Sequence, residues 1–297
     1  MSLIQSAPFL RAYRFFPHRL LNGAARRLAL ARAPRPLVRA VIRAWVRHHQ
    51  VDLSEGQRRS PDDFATLEEL FLRRLRPDAR PVDPHGIASP ADGHVIEAGV
   101  LHPDATIAVK GRRLSLRRIV NGAVSRAPWP LSDYAGGRYA VIFLSPRGYH
   151  RIHMPVAGEL VDVRWVGGRF FPQNERALAQ IPGVYERNER AVLRLRQTGA
   201  AAESHRQLLL VLVGASLIGG IALTDAVRST WVGPAPVPLA RLHARGDEIA
   251  HFTFGSTVIV LLPGGRGGAL IPPVGAFVRY GQRLWDDGLT DGPARAT

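Results

Sequence analysis

His251-Phe252-Thr253-Phe254-Gly255-Ser256-Thr257-Val258-Ile259-Val260-Leu261-Leu262 is a β-strand pattern with a Gly-Ser-Thr triplet inside it. The apolar runs on both sides favour a buried strand, and the glycine lets the backbone bend beside a hydroxyl group. One interpretation is a glycine bulge in that strand. Another is that the Ser256 hydroxyl attacks the carbonyl of Gly255 and cuts the chain. Such an N-to-O acyl shift, followed by β-elimination of the ester, would leave a pyruvoyl group at position 256.

The composition limits the chemistry that the chain can perform. It has 297 residues, of which 46% are hydrophobic, as in a globular protein of one large or two modest domains. Because cysteine is absent, disulfides, zinc-thiolate sites, iron–sulfur clusters and cysteine nucleophiles are excluded. Lys110 is the only lysine, so a Schiff-base lysine would have to be that residue.

The charge is large and concentrated near the N-terminus. A net charge of +16 suggests a polyanionic partner, either nucleic acid or an anionic membrane. No acidic residue precedes Asp52. The ten arginines in that segment are Arg11, Arg14, Arg19, Arg26, Arg27, Arg32, Arg35, Arg39, Arg43 and Arg47. The basic surface is therefore predicted to be an N-terminal arm.

Residues 1–80 are predicted to form a basic, helical N-terminal region. Between Pro36 and His49, apolar residues recur at helical spacing while arginines fall four apart on another face. Such a helix can lie in a lipid interface, or it can pack on the core with its arginines in solvent. A second helix, over residues 64–74, is predicted to pack on the core. A proline-rich stretch then places a domain boundary near Arg80.

Residues 81–297 are predicted to form a β-rich domain, so the fold class is α+β with a mainly antiparallel sheet. The predicted strands are residues 93–99, 106–109, 139–144, 156–166, 191–196, 207–213, 218–223 and 258–262. The longest apolar run, residues 208–223, is shorter than the ~20 residues that a bilayer-spanning helix needs. Glycines also divide this run, so no transmembrane helix is expected.

Three pieces of the β-rich domain carry reactive side chains. Asp92 lies in Ser89-Pro90-Ala91-Asp92-Gly93-His94, a turn sequence. His150 and His153 lie three apart in a segment flanked by prolines, so both serve one pocket only if the backbone is irregular there. Asp92, His153 and Ser256 can form a nucleophilic triad, with the carboxylate orienting the imidazole that deprotonates the hydroxyl. Metal binding by the two histidines is less favoured, because no third ligand has credible spacing.

Several ordered motifs together resemble the phosphatidylserine decarboxylase family. They are Pro90-Ala91-Asp92-Gly93, Tyr149-His150-Arg151-Ile152-His153-Met154-Pro155, Asn188-Glu189-Arg190, Val213-Gly214-Ala215, and Arg245-Gly246-Asp247-Glu248 leading into Phe254-Gly255-Ser256-Thr257-Val258-Ile259. The helical segments 41–53 and 64–81 are also similar to the bacterial enzymes. The resemblance extends from about Arg35 to Leu262, and the tail after Pro263 adds little to it.

The resemblance implies a proenzyme that cuts itself between Gly255 and Ser256, giving a β chain of residues 1–255 and an α chain of residues 256–297. Asp92, His153 and Ser256 would be the self-cleavage triad, and His150 would act in decarboxylation by positioning the substrate carboxylate or handling a proton. Ser256 would become a covalent pyruvoyl cofactor that forms a Schiff base with phosphatidylserine. Release of carbon dioxide would give phosphatidylethanolamine.

The resemblance also bears on partners and location. It implies a phosphatidylserine substrate in an anionic membrane, a heterodimer of the α and β chains with a higher homo-oligomer left open, and no nucleic acid or metal. The expected location is peripheral, on the cytoplasmic side of the cell membrane, with the helix over residues 35–47 as an interfacial anchor. Phe170 and Phe171, next to Gly167-Gly168, form an apolar tip that could admit the lipid; the other interpretation is a buried loop.

Two other classes of protein stay open. A pyruvoyl-dependent decarboxylase of a soluble amino acid would keep the Gly-Ser cleavage but would have no use for the basic arm. A non-enzymatic β-rich binding module with a nucleic-acid-binding arm would explain the charge and leave the chain intact.

Overall fold

The structure of the chain is a computed structural model that describes residues 18–123, 128–198, 207–216, 220–224, 237–253, 256–266 and 268–286. The α-helices of these ranges are α1 (His18–Ala29), α2 (Arg35–His49), α3 (Leu67–Phe71), α4 (Leu116–Asn121), α5 (Glu175–Gln180) and α6 (Val184–Arg187). The predicted α+β class is confirmed: a helical N-terminal layer precedes a large antiparallel sheet.

The strands of the described ranges form four sheets. They are β1 (Ile87–Ala88), β2 (Gly93–Val100), β3 (Thr106–Val109), β4 (Arg112–Ser115), β5 (Arg138–Leu144), β6 (Arg151–His153), β7 (Gly158–Val166), β8 (Arg190–Gln197), β9 (Leu208–Gly214), β10 (Ile221–Leu223), β11 (Val237–His243), β12 (Glu248–Phe252), β13 (Ser256–Leu262), β14 (Phe277–Val278) and β15 (Arg283–Trp285). The largest sheet has the order β11-β7-β8-β9-β13-β5-β2-β14. A three-stranded sheet has the order β10-β12-β6, and β1–β15 and β3–β4 are pairs.

Strand β13 runs through the middle of the large sheet, between β9 and β5. Both faces of β13 are covered, which explains why its residues are apolar without alternation. Val258, Val260 and Leu262 face one hydrophobic cluster. Ile259 and Leu261 face the other. The predicted strand over residues 258–262 is confirmed, and it begins earlier, at Ser256.

Helix α2 confirms the amphipathic helix predicted between Pro36 and His49, but its apolar residues are divided between two environments. Ile42 is buried, with partly buried Val38, Trp45 and Val46, in a cluster that includes Phe64 and Leu70. Leu37 and Val41 are exposed on the same helix. One part of the apolar face therefore packs on the protein, and the other part is left at the surface.

The predicted helix over residues 64–74 was wrong in its length. Helix α3 covers only Leu67–Phe71, because it begins after the cap at Thr66 and ends at Leu72, where the backbone leaves the helical conformation. Ser60 caps a 3-10 turn over Pro61–Asp63, and Thr66 accepts a hydrogen bond from the backbone of Glu69. Within the described ranges, no helix is long and apolar enough to span a bilayer. The domain boundary near residue 80 stays a prediction.

Candidate active site

The sheet topology brings the separate sequence motifs to one end of the central strands. Ser256, the first residue of β13, pairs with Leu144 at the end of β5 and with Gly214 at the end of β9. Asp92 directly precedes β2, whose His94 pairs with Phe143. Gly93 makes this packing possible, since a Cβ atom there would lie 2.6 Å from the carbonyl oxygen of Phe143. Asp92 and Ser256 therefore lie at the same end of the sheet.

The side chain of Ser256 and the whole of Phe254 and Gly255 lie outside the described residues. The peptide bond predicted to be cut joins Gly255 to Ser256. What the structure describes is the backbone position of Ser256 and the side chains that surround that end of the sheet.

The Asp92 carboxylate is buried and held by two partners. The Arg80 guanidinium donates to it through Nε at 3.2 Å and Nη2 at 2.7 Å. The backbone N–H of Tyr280 donates to the other oxygen at 2.8 Å. Arg80 also contacts Glu55, at 2.8 Å. Because these are the hydrogen-bond partners of Asp92 among the described residues, its predicted role in orienting His153 directly stays a prediction.

The His153 imidazole is oriented by a backbone carbonyl group. Its Nδ1 lies 2.7 Å from the carbonyl oxygen of Gly246, which can only accept a hydrogen bond. Nδ1 therefore carries the proton, and Nε2 presents a lone pair. The hydroxyl of Tyr149, 3.0 Å from Nε2, must then donate to it. Burial lowers the pKa of His153, opposed by the bond to Gly246, so the ring is neutral at pH 7 with a basic nitrogen at Nε2.

Aromatic packing fixes the plane of the His153 ring. The ring of Tyr280 stacks on it at 3.7 Å with an interplanar angle of 6°. Tyr149 lies near both rings, with centroid separations of 5.7 Å from His153 and 5.5 Å from Tyr280. Because Tyr280 also holds Asp92 through its backbone, one residue near the C-terminus positions both members of the predicted triad that the structure describes.

His150 lies before β6, in irregular backbone that follows a turn at Ser145 and Gly148. The residues between the two histidines belong to strand β6, so the irregular backbone lies before His150 and not between them. That both histidines serve one pocket stays a prediction. His150 is fully buried, and neither ring nitrogen has a well-formed hydrogen bond among the described residues. Burial lowers its pKa to about 3, with a further contribution from the Arg73 guanidinium and weak opposition from the backbone of Ser145. His150 is therefore a buried, neutral imidazole at the predicted site.

The helical layer is fastened to the backbone that carries the histidines. Arg73 donates to the carbonyl oxygens of Gly148 at 2.9 Å and Arg147 at 3.0 Å. Arg151 donates to the carbonyl oxygen of Leu72 at 3.0 Å and pairs with Glu248 at 2.6 Å.

An aromatic contact continues this connection into helix α2. The ring of Phe71 lies 5.4 Å from that of His150 and 5.3 Å from that of Trp45. Helices α2 and α3 are therefore in contact with His150 through a chain of rings.

The buried amide side chains of Gln173 and Asn188 form hydrogen bonds around the beginning of β13. The Thr257 hydroxyl donates to Oε1 of Gln173 at 2.6 Å, and Nε2 of Gln173 donates to the carbonyl oxygen of Gly214 at 2.8 Å. Nδ2 of Asn188 donates to the same carbonyl oxygen at 2.9 Å. The strand partner and the chain neighbour of Ser256 are therefore both held by side chains with satisfied hydrogen bonds.

Lys110 lies away from these groups and pairs with Glu175 at 3.2 Å. It occupies the turn between β3 and β4 with a positive φ of 49°, and its side chain is 37% exposed. A carbonyl group at the site thus has no lysine to tether it. In the ranges that the structure describes, no three His, Asp or Glu residues are grouped so as to hold a metal ion.

The comparisons with known proteins agree with one another. The family model for phosphatidylserine decarboxylase matches residues 67–286. The chain is 36% identical over 291 residues to the phosphatidylserine decarboxylase proenzyme of Bordetella pertussis, covering 93% of each chain. It is 34% identical to the same proenzyme of Azotobacter vinelandii, covering 87% of this chain and 90% of that one. The chain belongs to the phosphatidylserine decarboxylase family. It is an enzyme of this type.

Two sequence-based expectations about this family member are corrected. The resemblance was expected to end at Leu262, but the family match continues to residue 286 and includes Tyr280. Tyr280 could not be recognised as a site residue from the sequence, because it is a single aromatic residue in a segment without hydrophobic periodicity.

The prediction of an exposed apolar tip at Phe170 and Phe171 was also wrong, because both side chains are buried. Their ring surfaces fill the protein interior, as in the alternative interpretation of a buried loop.

Proposed function

We propose that this phosphatidylserine decarboxylase matures by cutting itself between Gly255 and Ser256 and uses a pyruvoyl group derived from Ser256. The observation that carries the proposal is the position of Ser256 at the end of β13, where the sheet also brings Asp92. The neutral His153 is linked to Asp92 through Tyr280, whose ring stacks on the imidazole and whose backbone N–H binds the carboxylate. The residues present fit this group, because the single lysine is engaged elsewhere.

In the proposed maturation, the Tyr149 hydroxyl first releases its hydrogen bond to Nε2 of His153, and this nitrogen then accepts the proton of the Ser256 hydroxyl. The hydroxyl oxygen bonds to the carbonyl carbon of Gly255, and the peptide nitrogen leaves as the amine of residue 256. Elimination then removes the α proton of residue 256 and releases the Gly255 carboxylate. Hydrolysis of the remaining enamine, through its imine tautomer, gives ammonia and the pyruvoyl group. Gly246 and Tyr280 support the first step by holding the imidazole in the required tautomer and plane.

In the proposed reaction, the pyruvoyl group supplies a carbonyl electron sink for the electrons left when carbon dioxide departs from phosphatidylserine. His150 is fully buried, and its ring nitrogens have no well-formed hydrogen bond among the described residues. A neutral imidazole there can position the substrate or carry the proton that completes phosphatidylethanolamine. The mature enzyme is proposed to be a heterodimer of the two chains.

The test is intact-mass measurement of purified protein, combined with release of carbon dioxide from phosphatidylserine in detergent micelles. Two chains divided at Gly255, the smaller with a pyruvoyl N-terminus, are expected together with activity. A folded protein that stays a single 32.6 kDa chain while releasing carbon dioxide would contradict self-cleavage. Cleaved protein that acts on a free amino acid, and not on the phospholipid, would favour the alternative substrate class.

We also propose a peripheral membrane location, with the corner between α1 and α2 as the contact surface. Leu28 is 76% exposed, Leu37 60% and Val41 45%. Exposed apolar side chains beside Arg35 and other arginines of α2 suit a surface that enters the acyl boundary while guanidinium groups meet lipid phosphates.

The double substitution Leu37→Asp/Val41→Asp is expected to reduce binding to anionic vesicles by about tenfold or more, because two charges enter the apolar surface. Vesicle sedimentation at fixed ionic strength measures the change. Val100→Asp is the control, since Val100 is 52% exposed at the end of β2. Unchanged vesicle binding by the double variant would exclude this corner as the contact surface.

A further inference from the structure

Arg73 is a buried cation that has no carboxylate partner among the residues that the structure describes. It is only 7% exposed, and its guanidinium donates to the carbonyl oxygens of Leu70, Arg147 and Gly148. Its Nε has no partner among the described residues. Asp92 and Asp52 attract it only from beyond ion-pair distance, and burial lowers its pKa. A charge removed from water in this way is costly unless an anion compensates it.

Arg73 also lines a cavity between the segment of residues 57–74 and Arg151 of β6. The cavity has a volume of about 310 Å³, and its charged lining residues are four arginines and two glutamates: Arg58, Arg73, Arg74, Arg151, Glu68 and Glu69. Two of these charges are already engaged, since Arg58 pairs with Glu69 at 2.8 Å and Arg151 pairs with Glu248 at 2.6 Å. The charged groups that remain on the cavity wall are Arg73, Arg74 and Glu68, which leaves an excess of one positive charge. Arg73 is the buried arginine of the two.

The same guanidinium acts on His150, whose pKa it lowers through its charge. Arg73 also donates to the carbonyl oxygens of Arg147 and Gly148, close before His150 in the chain. An anion bound by Arg73 would therefore lie near the histidine proposed to act in decarboxylation.

We propose that Arg73 binds the phosphodiester of the phosphatidylserine headgroup and thereby places the serine moiety toward His150. This assignment rests on the proposed function. The substrate has two anionic groups, and the chemistry distinguishes them. The carboxylate loses its charge as carbon dioxide leaves, so a cation on it would stabilise the reactant more than the transition state. The phosphodiester keeps its charge throughout, so a fixed cation there contributes binding without opposing the reaction.

The kinetic test compares Arg73→Gln and Arg73→Lys with the unmodified enzyme on phosphatidylserine in nonionic mixed micelles. Arg73→Gln is expected to raise KM about tenfold while kcat stays within about twofold, because the interaction is equal in reactant and transition state. Arg73→Lys keeps the charge and is expected to stay within about threefold of the unmodified KM. Arg117→Gln, which removes an exposed positive charge on α4, is the control and should leave both constants unchanged.

A structural role for Arg73 would give a different pattern. If Arg73 only ties the backbone at residues 147 and 148, Lys and Gln would impair the enzyme equally and lower its thermal stability together. A fall in kcat with unchanged KM would likewise overturn the assignment.

Equilibrium binding tests the site without turnover, and so separates this inference from the proposed function. Calorimetry uses the Ser256→Ala chain, with and without Arg73→Gln, and glycerophosphoethanolamine as a probe that has the phosphodiester but no carboxylate. Arg73→Gln is expected to weaken its binding about tenfold. Unchanged binding of this probe, with weakened binding of glycerophosphoserine, would assign Arg73 to the carboxylate instead. Equal affinity for inorganic phosphate would show a general anion site and overturn the headgroup assignment.

Discussion

His153→Ala is expected to leave the chain uncut. The substitution removes the basic nitrogen Nε2. In the unmodified chain the carbonyl oxygen of Gly246 accepts a hydrogen bond from Nδ1–H, which leaves Nε2 unprotonated. Loss of a general base lowers a rate by roughly 10²–10⁴-fold, so the proenzyme should persist for at least a hundred times longer. The fraction of cut chain after expression and timed incubation, measured by gel and intact mass, gives the rate. Decarboxylation should fall in proportion, because the pyruvoyl group forms only in chains that have been cut.

Two comparisons make this result specific to His153. His102→Ala removes a partly exposed histidine in the turn before β3 and should be cut at the normal rate. Ser256→Ala should be uncut whichever base is used, and it gives the reference mass. Thermal unfolding then shows whether the His153→Ala chain is folded. A folded His153→Ala chain that is cut as fast as the unmodified protein would remove His153 from the mechanism and leave Ser256 with another base.

The elements that local sequence patterns predicted correctly are those whose apolar residues follow one regular pattern. Strand β13 was recognisable because residues 258–262 are apolar without interruption, as expected for a strand covered on both faces. Helix α2 was recognisable because its apolar residues recur at helical spacing. The length of helix α3 was overestimated, since the side-chain cap at Thr66 depends on a local hydrogen bond that an apolar pattern does not reveal.

The parts of the site that sequence reasoning missed are contacts between distant positions. Asp92 and His153 were recognisable by residue type and by family motif. The groups that hold them are Arg80, the carbonyl of Gly246 and Tyr280, and the bond from Tyr280 to Asp92 joins residues 188 positions apart. A backbone carbonyl or a single tyrosine has no periodic signal. Its role follows only from the sheet order, which places β14 beside β2.

His150→Phe is expected to make the stability of the protein less dependent on pH below neutrality. Burial lowers the pKa of His150 to about 3, whereas an unfolded histidine titrates near 6.5. Above pH 6.5 the residue is neutral in both states and contributes no pH dependence. Between pH 6.5 and about 3 the unfolded chain binds a proton that the folded chain does not. The free energy of unfolding therefore decreases as the pH is lowered. From His150 alone, it is lower at pH 5 than at pH 7 by about 2 kcal/mol.

Urea unfolding at pH 7 and pH 5 measures the effect, in the Ser256→Ala background so that each sample is a single chain. The parent should lose more than His150 alone accounts for, because burial also lowers the pKa values of His153 and His251. His150→Phe should recover about 2 kcal/mol of the difference, since a phenyl ring cannot be protonated and leaves no unpartnered nitrogen beside Phe71. His102→Ala should keep the parental difference. An equal loss of stability in His150→Phe and its parent would mean that His150 is hydrated or paired in solution, and would contradict the buried, neutral imidazole on which its proposed role depends.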